Sequence, residues 1–150
     1  MFRPVLGLDL GLTTLGIAVS RSGHLATGLK NLKFPRGRFE SALVETVKIC
    51  QKEMVQTIVL GRPCYPSGDP TEMTGVVEEF ANTLRQRLDS KGLKDVSIVL
   101  QDEQGTTLEA AGNLHELGMN AKRQKPIIDQ AAAEVILLRW LSAQGYEVWR

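Results

Sequence analysis

The sequence predicts an α/β domain: a five-stranded mixed sheet flanked by helices, with strands one to three antiparallel and strands one, four and five parallel. Three observations carry this. Residues 5–34 hold three β-prone runs joined by links too short for a parallel crossover, so those strands must be antiparallel neighbours. At Phe39 the apolar spacing changes to that of a helix. Two later apolar runs each follow a helical segment, which favours parallel pairing.

The elements follow in order. Val5–Leu10 alternates and is β-prone, and Leu15–Ser20 follows after a Gly-Leu-Thr-Thr turn. Ser22-Gly23 marks the turn into a weaker third strand over His24–Phe34. Phe39, Leu43, Val47, Cys50 and Met54 recur on one helical face. Thr57–Leu60 is a short fourth strand ending at Gly61-Arg62-Pro63, followed by a Pro/Gly/Ser loop from Tyr65 to Pro70. Asp69 reads as an N-cap with Pro70 at the first helical position, ahead of the apolar face Met73, Val77, Phe80, Leu84 and Leu88. Val96–Leu100 is the fifth strand. Thr106-Thr107-Leu108-Glu109 fits a capping box for a helix that stops near Gly118. Asn120–Lys125 reads as a basic loop, and Pro126 opens a last helix, apolar almost all round, that buries against the sheet.

Composition sets the class. A chain of 150 residues suits one domain spanning 1–150, large enough to bury roughly 70% of its unfolded surface. With 43% hydrophobic and 23% charged residues it reads as globular, not disordered. Two cysteines without CxxC spacing predict reduced thiols in a cytoplasmic protein, and no N-terminal pattern suggests secretion. No stretch is long and apolar enough for a bilayer, so no membrane partner is expected. The net charge of +1 gives no global signal for nucleic acid, so such binding would have to use local basic segments.

Three acidic positions carry the chemical argument. Asp9 shares a strand face with Val5, Gly7 and Gly11, so the two glycines predict open space around its carboxylate. A metal ion or phosphate can approach there; a local bond to a backbone N–H or to Thr13 or Thr14 is the alternative. Asp102 and Glu103 sit at the carboxyl end of the fifth strand, where open α/β sheets bind ligands, and alternation lets only one of them reach a common site. Asp129 lies in the first turn of the last helix, ahead of small alanines that permit close approach to the sheet. Converging carboxylates repel unless a cation compensates, and an all-oxygen donor set suits Mg²⁺ or Mn²⁺. Two such ions about 3.5–4 Å apart would serve phosphodiester cleavage.

The stretches GLDLGLTTLGIAVS, IVLGRP…SGDPTEMTGVVEEFANTL, VLQDEQGTTLEAAGNL and KPIIDQAAAEVILLRWL resemble, in order and spacing, the YqgF/RuvX family. The resemblance spans nearly the whole chain. It implies a ribonuclease H-like fold and a nuclease acting in pre-16S rRNA 5′-end maturation or, alternatively, as a Holliday junction resolvase. It implies that Asp9, Glu103 with its neighbour Asp102, and Asp129 bind the divalent metal. The chain departs from the family pattern at several positions. Leu12-Thr13-Thr14 stands where a basic turn residue is common, Arg21 where an aspartate usually follows the serine, Gln104 where an arginine follows Asp-Glu, and Arg62 where a leucine is usual. Arg62 is therefore a candidate to supply the positive charge absent at Gln104.

Lys30, Lys33, Arg36 and Arg38 form one basic stretch, and Lys122, Arg123 and Lys125 a second, better placed to hold a phosphate backbone beside Asp129. Tyr65 is either a base-stacking residue or an ordinary loop tyrosine, and His115 reads as a boundary histidine. The expected partners are structured RNA, branched DNA or a pre-ribosomal particle. Junction cleavage would call for a homodimer and RNA cleavage would not. A catalytically weak nucleic-acid-binding assembly factor is the reading from another class. The stretch DLGLTT also resembles the first phosphate motif of actin-like ATPases, which need two such domains.

Overall fold

The computed structural model describes residues 2–103 and 121–149, and of residues 121–130 only the course of the backbone. The strands are β1 (Val5–Leu10), β2 (Thr14–Ser20), β3 (Thr27–Lys33), β4 (Thr57–Arg62) and β5 (Ser97–Asp102). Among the described residues the helices are α1 (Glu40–Glu53), α2 (Glu72–Ser90) and α3 (Ala121–Ala143). The sheet order is β3-β2-β1-β4-β5. β1 pairs antiparallel with β2, and β2 with β3. β1 pairs parallel with β4, and β4 with β5. This is the predicted mixed sheet.

Alternation sorts the strand side chains between two layers. Leu6, Leu8, Leu10, Ile58 and Leu60 face α1 and α2, where they join Leu43, Val47, Val77, Phe80, Leu84 and Leu88 in the larger core. Val5, Ala18 and Val59 face α3 and pack against Ala133, Ile136, Leu137 and Leu141. Cys50 is buried on the α1 side, where burial pushes its thiol up to about 12; Cys64 is also free. No helix among the described residues is long and apolar enough to cross a membrane.

Several boundaries differ from expectation. β4 and β5 each run two residues further, because Gly61 and Arg62 continue the parallel ladder opposite Gln101 and Asp102. β3 starts only at Thr27, after the turn closed by the left-handed Gly23. The cap of α2 is Thr71, not Asp69. Thr71 Oγ1 accepts from the Met73 amide at 3.2 Å, and Thr74 Oγ1 accepts from the Thr71 amide at 2.8 Å. Thr74 Oγ1 also donates to the Pro63 carbonyl at 2.6 Å, a partner distant in sequence that local pattern does not reveal. Residues 121–125 are helical, not a loop: Ala, Lys, Arg, Gln and Lys are good helix formers, and Pro126 removes only one amide donor from the early turns of α3. The capping box at 106–109, the helix to Gly118, Gln104 and His115 lie outside the described residues.

α3 lies across β1, β2, β3 and β4. Its fit depends on one glycine. A Cβ at Gly7 would stand 2.6 Å from the Ala133 carbonyl oxygen and 2.9 Å from Leu137 Cβ, so only glycine lets the helix seat. Glu134 fixes the outer side by accepting a hydrogen bond from the Gly28 amide beside the bulge in β3. Gly7→Ala is therefore expected to destabilise the protein by about 1–3 kcal/mol, the usual cost of overpacking a core. Urea denaturation measures this as a lowered midpoint with an unchanged slope.

Candidate active site

The site lies on the α3 face of the sheet, at the carboxyl ends of β1, β4 and β5. Asp9 pairs in register with Gly16 of β2, which pairs with Asn31 of β3. On the other side, the β1–β4 ladder ends with Leu8 opposite Leu60, so Gly61 is the β4 residue that follows toward Asp9, and Gln101 pairs with Gly61. Asp9 is thus flanked across the sheet by two glycines. Glu103 follows Gln101 by two residues and emerges on the same face, its amide donating to the Arg62 carbonyl at 3.2 Å.

Open space beside Asp9 was expected at Gly7 and Gly11, and it is not there. Gly7 is filled by α3, and the Thr14 hydroxyl lies 3.1 Å from where a Gly11 Cβ would stand. The notch is at Gly61 instead. A Cβ there would meet Ile136 Cδ1 at 2.6 Å and Glu103 Oε2 at 2.7 Å. Gly61 therefore makes room for the Glu103 carboxyl, with Ile136 behind it.

Burial, and next the nearby charge of Asp9, push the Glu103 carboxyl up to about 8. Its Oε2 is buried without a hydrogen-bond partner. Asn31 Oδ1, in the same cross-sheet row as Asp9, is the other buried acceptor left unpartnered among the described residues. Such atoms are costly and call for a partner beyond the described residues or, for the carboxyl, a proton. The donors are hard oxygens, and the two carboxyls are crowded and recessed. That fits a small divalent cation. Among the described residues no group of three His, Cys, Asp or Glu converges, and the Asp129 side chain lies outside them.

The other expected site residues divide by face. Arg62 and Asp102 alternate to the opposite side of the sheet from Glu103. There Arg62 Nη1 donates to Asp102 Oδ1 at 3.2 Å, and Arg62 Nε meets Glu78 Oε2 of α2 at 3.5 Å. Asp102 is largely exposed. The structure brings Asp9 and Glu103 together and does not bring Asp102 or Arg62 to them. Lys122, Arg123 and Lys125 lie on the first turns of α3, with their side chains outside the described residues. Tyr65 is exposed in the loop before α2. Sequence reasoning missed Gly61 and Asn31. A glycine at the carboxyl end of a strand that was expected to be parallel was the available signal for the first; nothing local marked the second.

The metal-free protein should show the cost of this pair as a pH dependence. Glu103 holds its proton in the folded state up to about 8, whereas an unfolded glutamate releases it near 4.5. Between those values the unfolded state binds fewer protons, so stability falls as pH rises and levels off above about 8. In chelator, Glu103→Gln is expected to flatten this fall and to melt at a higher temperature than the parent at about pH 8.5, with little difference at about pH 4. Thermal melts across that range check it, and parallel curves would count against a buried, protonated Glu103.

Among known proteins, the family model RuvX, described as Holliday junction resolvase, matches residues 3–143. A Mesomycoplasma hyopneumoniae (strain 7448) protein named "Putative pre-16S rRNA nuclease" is 31% identical over 144 residues, covering 95% of this chain and 96% of that one. A Corynebacterium jeikeium protein of the same name is 34% identical over 140 residues, covering 93% and 86%. T. thermophilus RuvC, solved in complex with a Holliday junction substrate, shares the fold at a TM-score of 0.60 and 15% identity, covering 97% of this chain and 99% of that one. The yeast mitochondrial Holliday junction resolvase Ydc2 gives a TM-score of 0.51 at 13% identity, covering 92% and 78%. These two likenesses establish a ribonuclease H-like architecture. With its match over residues 3–143 and relatives above 30% identity along nearly its whole length, the chain belongs to the RuvX family of nucleases.

Proposed function

We propose that this protein is a divalent-metal-dependent nuclease that hydrolyses phosphodiester bonds in structured RNA, acting in the cytoplasm in the 5′-end maturation of pre-16S rRNA on a pre-ribosomal particle. The observation that carries the reading is the Asp9–Glu103 pair, with an orphaned Glu103 oxygen in a notch cut by Gly61. The choice of RNA follows the names of the curated relatives.

Asp9, Glu103 and Asp129 are the residues that would hold Mg²⁺ or Mn²⁺. When bound there, such an ion supplies charge neutralisation at the phosphodiester and lowers the pKa of an attacking water. To hold such an ion Glu103 would give up its proton, and the charge of the ion would offset the repulsion between the two carboxylates. Gly61 sets where the Glu103 carboxyl rests, and Ile136 keeps water from its back. Asp102 stands outside this set, because its carboxylate neutralises Arg62 on the other face. Lys122, Arg123 and Lys125 hold phosphates of the substrate from the start of α3.

Resolution of four-way DNA junctions by the same residues is the second reading. The fold likeness to junction-bound RuvC favours it, and it would require a homodimer to place two sites symmetrically.

The test incubates the chain with Mg²⁺ or Mn²⁺ and, separately, a 16S rRNA precursor and a four-way junction. Cleavage of the precursor is expected. Asp9→Asn, Glu103→Gln and Asp129→Asn should each lower it by at least about 100-fold, since even outer partners of metal ligands cost about 10–100-fold. Gly61→Ala, which displaces the Glu103 carboxyl without removing it, should lower turnover by up to about 100-fold while the far-ultraviolet spectrum is kept. Cleavage retained in all three acid variants would sink the site. Junction cleavage alone would favour the second reading, and binding without cleavage an assembly role.

A further inference from the structure

The turn after Asp9, Gly11-Leu12-Thr13, carries no charged side chain, yet it is bolted to a segment that does. The Phe34 amide donates to the Thr13 carbonyl at 3.0 Å, and the Gly37 amide to the Leu12 carbonyl at 2.9 Å. Gly37 adopts φ +73°, the left-handed conformation that turns the chain back toward α1. These bonds fix the loop Phe34–Arg38 beside the turn, at the end of the sheet where Asp9 and Glu103 lie. Arg36 and Arg38 are exposed on it, and Lys33 is exposed at the end of β3 just before it. Lys33 is the register partner of Thr14, two cross-strand rows beyond the Asp9–Gly16–Asn31 row and so on the same sheet face.

What marks these three cations is that they are unspent and lie at the carboxyl end of the sheet; Lys48, Lys52, Lys91 and Lys94, also without an ion pair among the described residues, lie on α1 or between α2 and β5. Arg21 pairs with Glu53, Lys30 with Glu45, Arg62 with Asp102 and Glu78, Arg85 with Asp89, and Arg87 with Glu40. Arg3 donates to the Val55 carbonyl. Among the described arginines only Arg36 and Arg38 have no protein acceptor, and Lys33 has none either among the described residues. Three unpaired cations on this hydrogen-bonded loop and the strand end before it, at the same end of the sheet as the two carboxyls, form a surface for a polyanion that must also reach those carboxyls.

We infer that Lys33, Arg36 and Arg38 form a docking rim for the sugar–phosphate backbone of the nucleic-acid strand entering the Asp9–Glu103 site. The inference rests on the proposed nuclease reading and deepens it by assigning the substrate path to the β3–α1 loop. The contacts are to phosphate, so they are insensitive to base sequence. Lys30 lies on the same strand but is outside the rim, because Glu45 already holds its ammonium.

The test measures fluorescence anisotropy of the full chain in chelator with a labelled RNA spanning the 16S 5′ boundary, across a salt series. Substituting Lys33, Arg36 and Arg38 by glutamine together is expected to weaken binding at least about tenfold at low salt. The slope of log affinity against log salt should fall by about 0.7–0.9 for each phosphate no longer neutralised. Lys30→Gln should bind like the parent. In Mg²⁺, the triple variant should show a raised KM with kcat retained. Unchanged affinity and slope in a folded triple variant would overturn the inference while leaving the nuclease reading intact. Rim-dependent binding by a parent protein that never cleaves would do the reverse. A parent that does not bind at all would overturn both.

Discussion

Two carboxyl groups brought close at one end of the sheet set the terms for the rest of this protein. Asp9 comes from β1 and Glu103 follows β5, with only the glycine-bearing end of β4 between them. Their backbones belong to a hydrogen-bonded sheet, so the side chains cannot separate as they would in water. Repulsion and lost solvation are relieved in one of two ways, by a proton on Glu103 or by a cation. A carboxyl that keeps its proton up to about 8 spares the site a second negative charge at physiological pH. A cation held there would have to displace that proton, so its affinity would depend on pH.

The two faces of the sheet answer different demands. The face toward α1 and α2 is filled with leucine, isoleucine and phenylalanine and carries the larger core. The face toward α3 is built partly by subtraction. Gly7 admits the backbone of α3, and Gly61 admits the Glu103 carboxyl. Gly16 leaves the Asp9 row without a side chain between Asp9 and Asn31. Each glycine forfeits β propensity and backbone entropy, of the order of 0.5–1 kcal/mol relative to alanine. The close approach of α3 and the shape of the site are what those losses obtain.

The sheet was legible because its signals are local and redundant. β1 was readable to the residue, since alternation, apolar content and flanking turns agree there. The cap of α2 was not, because Thr71 prevails over Asp69 through Thr74, whose hydroxyl also reaches back to Pro63. The acids were visible as acids, and alternation stated correctly that Asp102 and Glu103 part to opposite faces. Which one joins Asp9 depends on register with β4, a relation between segments about 40 residues apart that no local pattern holds. The notch was sought at Gly7 and Gly11, within the strand of Asp9. It lies at Gly61 because space beside a side chain is made by the neighbouring strand.

Net charge describes this protein poorly, because most of its described arginine charge is already committed. Arg87 with Glu40 joins α2 to α1, Lys30 with Glu45 joins β3 to α1, and Arg21 with Glu53 joins the β2–β3 turn to the end of α1. These pairs are largely solvent-exposed, and such pairs are worth little. Their larger effect is to cancel charge around the flank and base of the domain. Arg62 belongs to this group: Asp102 and Glu78 hold it on the face away from Asp9, which leaves it ill placed to compensate for Gln104. Once those pairs are set aside, the positive charge left over among the described residues at the carboxyl end of the sheet belongs to the β3–α1 loop. A chain of net charge +1 can therefore present a locally cationic approach to a pair of recessed acids, and the distribution of its ion pairs decides where that approach lies.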